Sequence, residues 1–139
     1  MKQRVILMLG MLAAALVLTG GVVLAKNINC TGGKCVGTKK ADIITGSFGD
    51  DTIFGRGGND RIVDDLGTTE IHGGSGNDEI IDVNRSVATI FGEKGDDSIN
   101  VREGNADFDP DFVDCGPGID TVFVDPTDTR LNCEILNPN

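Results

Sequence analysis

The chain has 139 residues, 12 of them basic and 22 acidic, with six Phe and neither Trp nor Tyr. A formal net charge of −10 argues against nucleic acid or an anionic membrane as a direct partner, since both are polyanions, and suits a protein that binds cations. No stretch beyond the N-terminal region sustains an apolar period of about 3.6 residues, which argues against long helices.

The first 25 residues read as an export signal. Lys2 and Arg4 precede an uncharged run from Val5 to Ala25, and Val23-Leu24-Ala25 resembles a small-residue cleavage site. The run is also long enough to serve as an uncleaved membrane anchor; Gly20 and Gly21 favour processing. Cleavage would leave Lys26 as the first residue and 10 basic against 22 acidic side chains, a net charge of −12.

From Gly37 the chain repeats in nines. Units begin at Gly37, Gly46, Gly55, Asp64, Gly73 and Asp82, and after one extra residue at Gly92 and Val101. The eighth position of successive units reads Ile44, Ile53, Ile62, Ile71, Ile80, Ile90 and Ile99, and a further copy from Cys115 puts Val122 there. Glycine pairs such as Gly55/Gly58 and Gly73/Gly76 precede each x-Ile-x segment in the better copies. Glycine serves where φ must be positive or backbones must approach closely. The Ile-centred half suits a short strand. One such unit cannot bury its own apolar side, but stacked copies bury a continuous column.

The segment "GGSGNDEII" at 73–81 fits G-G-x-G-x-D-x-U-x, with U a large apolar residue, at every fixed position. With its neighbours in register it resembles the RTX, or haemolysin-type, calcium-binding nonapeptide. That resemblance covers residues 37–124. It implies an all-β fold: a parallel β-roll of about five 18-residue coils, with calcium held between successive glycine loops on each edge.

An 18-residue coil places alternate units on the same edge. One edge then carries Asp42, Asp60, Asp78, Asp97 and Asp120 at the sixth position, and the other Asp51, Thr69, Val87 or Ala88, and Ala106. Calcium takes about 6–8 oxygens, so the expectation is a one-sided ladder. Its ligands are Asp60, Asp78 and Asp97 at the centre, Asp42 and Asp120 at the ends, and the backbone of Gly55, Gly57, Gly73, Ser75, Gly92 and Lys94. Asp51 is expected to hold one ion on the second edge, helped by Asp64 or Asp65. Asn59 and Asn77 read as turn formers. The single His, His72, is expected at the surface.

The stretch "NADFDPDFVD", with Asp107, Asp109, Asp111 and Asp114, reads as a solvated insertion, with an accessory cation loop as the alternative. It is not an EF-hand: counting from Asp107, position six is Phe112 rather than Gly and position twelve is Gly118 rather than Glu.

Four cysteines in an exported chain suggest two disulfides, with three possible connectivities. Cys30 and Cys35 precede the repeats, whereas Cys115 and Cys133 lie at their end. Four stacked steps separate the ends by roughly 20 Å, and a disulfide spans only about 4.4–6.8 Å between Cα atoms. The expected pairs are therefore Cys30–Cys35 and Cys115–Cys133, stapling caps at 26–36 and 125–139. Zinc is disfavoured because no C-x-x-C occurs.

These readings give a non-catalytic, secreted, calcium-binding β-roll, monomeric, with no nucleic-acid partner and no membrane contact once the signal is removed. There is no H-E-x-x-H and no G-x-S-x-G elbow. The alternative is an adhesion or partner-binding module, which a contiguous patch of Phe54, Phe91 and Phe123 would favour.

Overall fold

A computed structural model describes residues 25–103 and 109–136. The expected signal, 1–25, lies almost wholly outside them. Among the described residues there is no helix. Thirteen short strands alternate between two parallel sheets.

The first sheet holds β1 (Asn27–Asn29), β3 (Ile43–Thr45), β5 (Arg61–Asp64), β7 (Glu79–Asp82), β9 (Ser98–Asn100), β11 (Thr121–Phe123) and β13 (Ile135–Leu136). The second holds β2 (Gly33–Val36), β4 (Asp51–Gly57), β6 (Thr69–Ser75), β8 (Ala88–Lys94), β10 (Phe112–Asp114) and β12 (Thr129–Leu131). Each strand pairs with the strand two places along the chain, and never with its chain neighbour. That connectivity is a solenoid: the chain crosses from one sheet to the other at every loop and climbs one rung per coil.

The core follows from the period of two in each strand. The central residue of every x-Ile-x segment points inward and its neighbours point out. Ile44, Ile62, Ile80, Ile99 and Val122 line the first sheet, and Ile53, Ile71, Ile90 and Val113 the second; each is at most 1% exposed. In-register pairs such as Ile62↔Ile80 and Ile53↔Ile71 stack identical side chains rung on rung. β-branched residues fit this setting because their χ1 is already restricted before burial.

The roll has about six coils, one more than expected, because both presumed caps contribute strands. Residues 27–36 form β1 and β2, with Cys35 taking the inward place beside Ile53. At the other end β12 and β13 add a further rung, and Arg130 stands opposite Val113 where the next apolar residue would be. A charged, exposed residue there ends the apolar column and discourages edge pairing. The disulfides form as Cys30–Cys35 and Cys115–Cys133, with Cα separations of 5.6 and 5.2 Å.

The reading of 101–114 needs correction. Ala106, expected at a sixth position, lies outside the described residues, as does Asp107. Phe112↔Thr89 and Val113↔Ile90 pair in β10, so Asp111 stands opposite Ala88 and takes the sixth position. The latter part of the supposed solvated insertion is thus core strand. The connection from β9 to β10 absorbs the extra length, which displaces the nine-residue count by five places.

Candidate metal centre

The loops between second-sheet and first-sheet strands form one edge of the roll. Asp42, Asp60, Asp78, Asp97 and Asp120 each close such a loop, and all are at most 2% exposed. They sit there because the residue after each begins a strand whose next side chain must enter the core.

Their carboxylates are chained through the backbone. Oδ1 of Asp60 accepts the Asp42 N–H at 2.7 Å, Oδ1 of Asp78 that of Asp60 at 2.8 Å, Oδ1 of Asp97 that of Asp78 at 2.8 Å, and Oδ1 of Asp120 that of Asp97 at 2.7 Å. The Asp120 N–H donates to Glu134 at 3.1 Å. Each aspartate therefore spends one oxygen holding the preceding rung.

The second oxygen is the informative one. Oδ2 of Asp60, Asp78, Asp97 and Asp120 is buried and accepts no hydrogen bond. A buried, unsatisfied carboxylate oxygen is costly. Asp42 differs: its Oδ1 accepts the Lys26 N–H at 3.0 Å and its Oδ2 the Thr38 N–H at 2.6 Å. Asp42 thus ends the ladder as a satisfied turn cap, whereas Asp120 belongs with the three central residues.

Glycine at the first loop position makes the space those oxygens face. A Cβ on Gly73 would lie 2.7 Å from Asp78 Oδ2 and 2.8 Å from the Gly92 carbonyl oxygen. On Gly55 it would lie 2.5 Å from Asp60 Oδ2, with the Gly73 carbonyl closer still, and on Gly92 2.6 Å from Asp97 Oδ2, with the Cys115 carbonyl closer still. Carboxylate and carbonyl oxygens thus converge, rung after rung, on a pocket that any side chain would fill. Two acceptors facing one another need a donor or a cation between them.

The expected backbone contributors divide. Carbonyls of Gly73 and Gly92 face the carboxylates, and that of Gly55 faces Gly37 in the same way. Those of Ser75 and Lys94 accept the N–H of Gly58 and Gly76, each at 2.8 Å, and so serve the ladder between rungs. Gly57 pairs with Ser75 inside the strand extension. Asn59 Oδ1 accepts the Asn77 N–H at 3.0 Å, and Asn77 Oδ1 that of Asp96 at 3.1 Å. These side chains form an outer polar ladder that sets loop spacing.

Burial dominates the electrostatics. It pushes Asp78 up to about 7, with repulsion from Asp97 and Asp60 adding to it and the hydrogen bond from Asp60 N–H opposing it. Burial likewise raises Asp60 and Asp97, each to about 6, and raises Asp120. For Asp42 burial also acts upward, but the combined hydrogen bonds from Thr38 and Lys26 outweigh it and its pKa falls. On this edge the four residues with an orphaned oxygen are those whose pKa is raised.

A family model for the RTX calcium-binding nonapeptide repeat matches residues 36–63, 65–81 and 89–106. This chain is an RTX-type β-roll. No curated protein and no solved structure matches it. RTX nonapeptides are calcium-binding motifs, and the donor set of the roll fits that ion: hard oxygens only, anionic, and arranged around a space kept open by glycine. Among the described residues no three His, Cys, Asp or Glu side chains are grouped so as to hold an ion by themselves. An ion in the RTX roll would thus take carboxylates from adjacent loops and draw its remaining ligands from backbone carbonyls.

The second edge was expected to carry Asp51, helped by Asp64 or Asp65, and no further sixth-position carboxylate; it carries more. Asp51, Asp64, Asp82 and Asp111 there are at most 3% exposed. Asp65 is exposed; of the two candidate helpers for Asp51, Asp64 is the buried one. A sixth-position template does not find Asp82, which occupies the first position, where the motif asks for glycine; Asp64, expected only as a helper of Asp51, stands at the same position one rung earlier.

The outer face of the second sheet carries a ring ladder. His72 stacks between Phe54 and Phe91, with centroid separations of 4.8 Å on both sides, and Phe112 continues the row 6.1 Å from Phe91. Lys34 Nζ lies 4.9 Å from the Phe54 centroid. His72 Nε2 and Nδ1 lie 2.8 and 3.0 Å from Glu70 and Glu93. His72 is therefore a half-buried link rather than a free surface residue. Phe123 belongs to the first sheet and stands apart from this row.

Proposed function

We propose that the chain is an exported, non-catalytic calcium-binding module whose roll becomes the stable state when calcium neutralises the aspartate ladder. The observation that carries this reading is the set of buried oxygens without donors on Asp60, Asp78, Asp97 and Asp120. Without a cation these carboxylates repel across each rung and lack solvation; with one, binding free energy becomes folding free energy. Extracellular calcium modules commonly bind in about the 10⁻⁴–10⁻³ M range. On this reading the chain stays unfolded in calcium-poor cytosol and folds outside the cell. The ligands are Asp60, Asp78, Asp97 and Asp120 with the carbonyls of Gly73, Gly92 and Cys115, and Asp42 closes the end of the ladder. Circular dichroism of the exported form, titrated with calcium after chelation, tests it: a cooperative gain of strand signal is expected. A chelated chain that already has the full strand signal, with no bound metal by elemental analysis, refutes it.

The partner-binding alternative has one specific support, the row Phe54–His72–Phe91–Phe112 on an outer face. On that reading calcium serves to hold the row flat, and Phe91→Ser leaves calcium binding intact while weakening attachment to the cell surface.

A further inference from the structure

The ring row on the outer face of the second sheet ends differently at its two ends. Phe54, His72 and Phe91 are in-register partners on β4, β6 and β8, and neighbouring rings lie within 18° of parallel. Beyond Phe54 a cation closes the stack: Lys34 Nζ lies 4.9 Å from the ring centroid. Beyond Phe91 the next place in the column belongs to Asp114, which has no ring. Phe112 comes from the adjacent column and meets Phe91 at 59° rather than flat. The parallel stack therefore stops at Phe91, and a cavity opens there.

The cavity has a volume of about 240 Å³ and is lined by Phe91, Glu93, Asp114, Gly116, Pro117 and Asn132. Its apolar walls are a ring and a pyrrolidine; its polar walls are two carboxylates and an amide, with no base among them. No ladder aspartate lines it. Glu93 Oε1 lies 3.0 Å from His72 Nδ1, and Asp114 Oδ1 accepts the Asn132 side-chain amide at 2.8 Å. The second oxygen of each acid, and the amide oxygen of Asn132, accept no hydrogen bond from a described residue. Glu93 and Asn132 have φ of +70° and +52°, two of the three non-glycine residues with positive φ among the described residues. The rung before Glu93 uses Gly74 at that place. An acid there carries backbone strain that glycine avoids.

We infer that this cavity receives the ammonium end of a lysine side chain presented by a partner protein. An ammonium offers three donors and no acceptor, which matches the open oxygens of Glu93, Asp114 and Asn132. The methylene stem of lysine suits the Phe91 and Pro117 walls. A cation beside Phe91 closes that end of the stack as Lys34 closes the other. The volume falls below the roughly 300–1,000 Å³ of pockets for drug-sized ligands, so the cavity admits one side chain rather than a whole cofactor. The formal charge of −10 draws a basic partner. This inference rests on the partner-binding reading of the ring row and names the chemistry that the row recognises. It does not depend on how the ladder holds calcium.

The test follows backbone amide NMR shifts of the exported protein in saturating calcium, titrated with Nα-acetyl-lysine methylamide. Saturable shifts are expected around Phe91, Glu93, Asp114 and Asn132, and none with the norleucine analogue, which lacks the ammonium. Asp114→Asn keeps the acceptor for Asn132 and removes the charge; it should bind the lysine probe about tenfold more weakly, with an unchanged circular dichroism spectrum. Shifts confined to the aspartate ladder, equal response to norleucine, or parental affinity in Asp114→Asn overturns the site. Binding of n-butylamine as tight as that of a lysine-containing peptide overturns the partner protein as the source of the ammonium. Attachment to the cell surface that is weakened in Phe91→Ser but parental in Asp114→Asn overturns the lysine assignment and leaves the partner-binding reading intact; parental attachment in both overturns both. Should Asp114→Asn fail to fold in calcium, Glu93→Gln decides in its place.

Discussion

Replacing Asp78 by Asn should stabilise the roll in chelator and destabilise it in calcium. Asp78 Oδ1 holds the Asp60 N–H at 2.8 Å, a bond the amide oxygen of Asn retains. Its Oδ2 and the Gly92 carbonyl oxygen lie 2.7 and 2.8 Å from one point, the missing Cβ of Gly73. In the variant an amide NH₂ faces that carbonyl and donates to it. Without calcium at neutral pH, burying the wild-type group costs free energy whether it stays ionised or takes up a proton, because burial has raised its pKa to about 7 from 3.8. That difference sets a ceiling of about 4 kcal/mol on the cost. Water entering the loop reduces the relief to about 1–2 kcal/mol. With calcium, Asp78 faces the loops on either side, so two ion positions each lose about tenfold in affinity, roughly 3 kcal/mol together at saturation. Circular dichroism in chelator and urea midpoints in calcium measure the two halves. A variant less folded than the parent in chelator, or equally stable in calcium, would refute the facing-oxygen argument.

Acid should substitute for calcium. Asp60, Asp64, Asp78, Asp82 and Asp97 all have folded pKa values raised to about 6 or 7, so the fold binds protons that the unfolded chain has released. The resulting stability is complete below the ordinary value of 3.8 and is lost as pH rises through 6 to 7. Each carboxylate contributes a slope of about 1.4 kcal/mol per pH unit between those limits. In chelator the strand signal should therefore rise on acidification from neutrality to about pH 5, and calcium affinity should fall over the same interval; a chelated chain insensitive to pH contradicts this. Arg56 sits at φ +79° where Gly74 occupies the next rung, so Arg56→Gly should raise the urea midpoint in calcium by the equivalent of about 0.5–1 kcal/mol. Opening Cys115–Cys133, separated by 18 residues, should cost about 3 kcal/mol, and opening Cys30–Cys35, separated by 5, about 2 kcal/mol. Thermal unfolding of the paired Ser variants gives the order.

The sequence made the roll legible because its determinants are periodic and local. Isoleucine in every ninth place dictates an inward column, and glycine before aspartate dictates a loop. The disulfide pairs followed from rung spacing. Three things lay beyond a template of that kind. Cys35 takes an isoleucine's place and Arg130 ends the same column, so the terminal rungs carry no repeat signature and read as caps. The connection before Asp111 broke the count, and an aspartate bound for a sixth position looked like part of an insertion. Asp82 was hidden because the motif assigns its position to glycine, although an acidic residue there meets the same corner from the other side; Asp64, at the same position, was legible only as a helper of Asp51. The ring row was legible in part: Phe54 and Phe91 were grouped, but His72, at the same place in the intervening unit, was read only as a surface residue, and Phe123, on the other sheet, was grouped with them instead.

The aspartate ladder also has a direction. Every loop on that edge is fastened by a carboxylate from the loop after it, from Asp60 holding Asp42 to Glu134 holding Asp120. As the chain is synthesised from its N-terminus, the most recently made loop always lacks its clasp, since the residue that supplies it has yet to be added. The ladder can therefore close only one coil behind the growing end, and its last loop waits for Glu134.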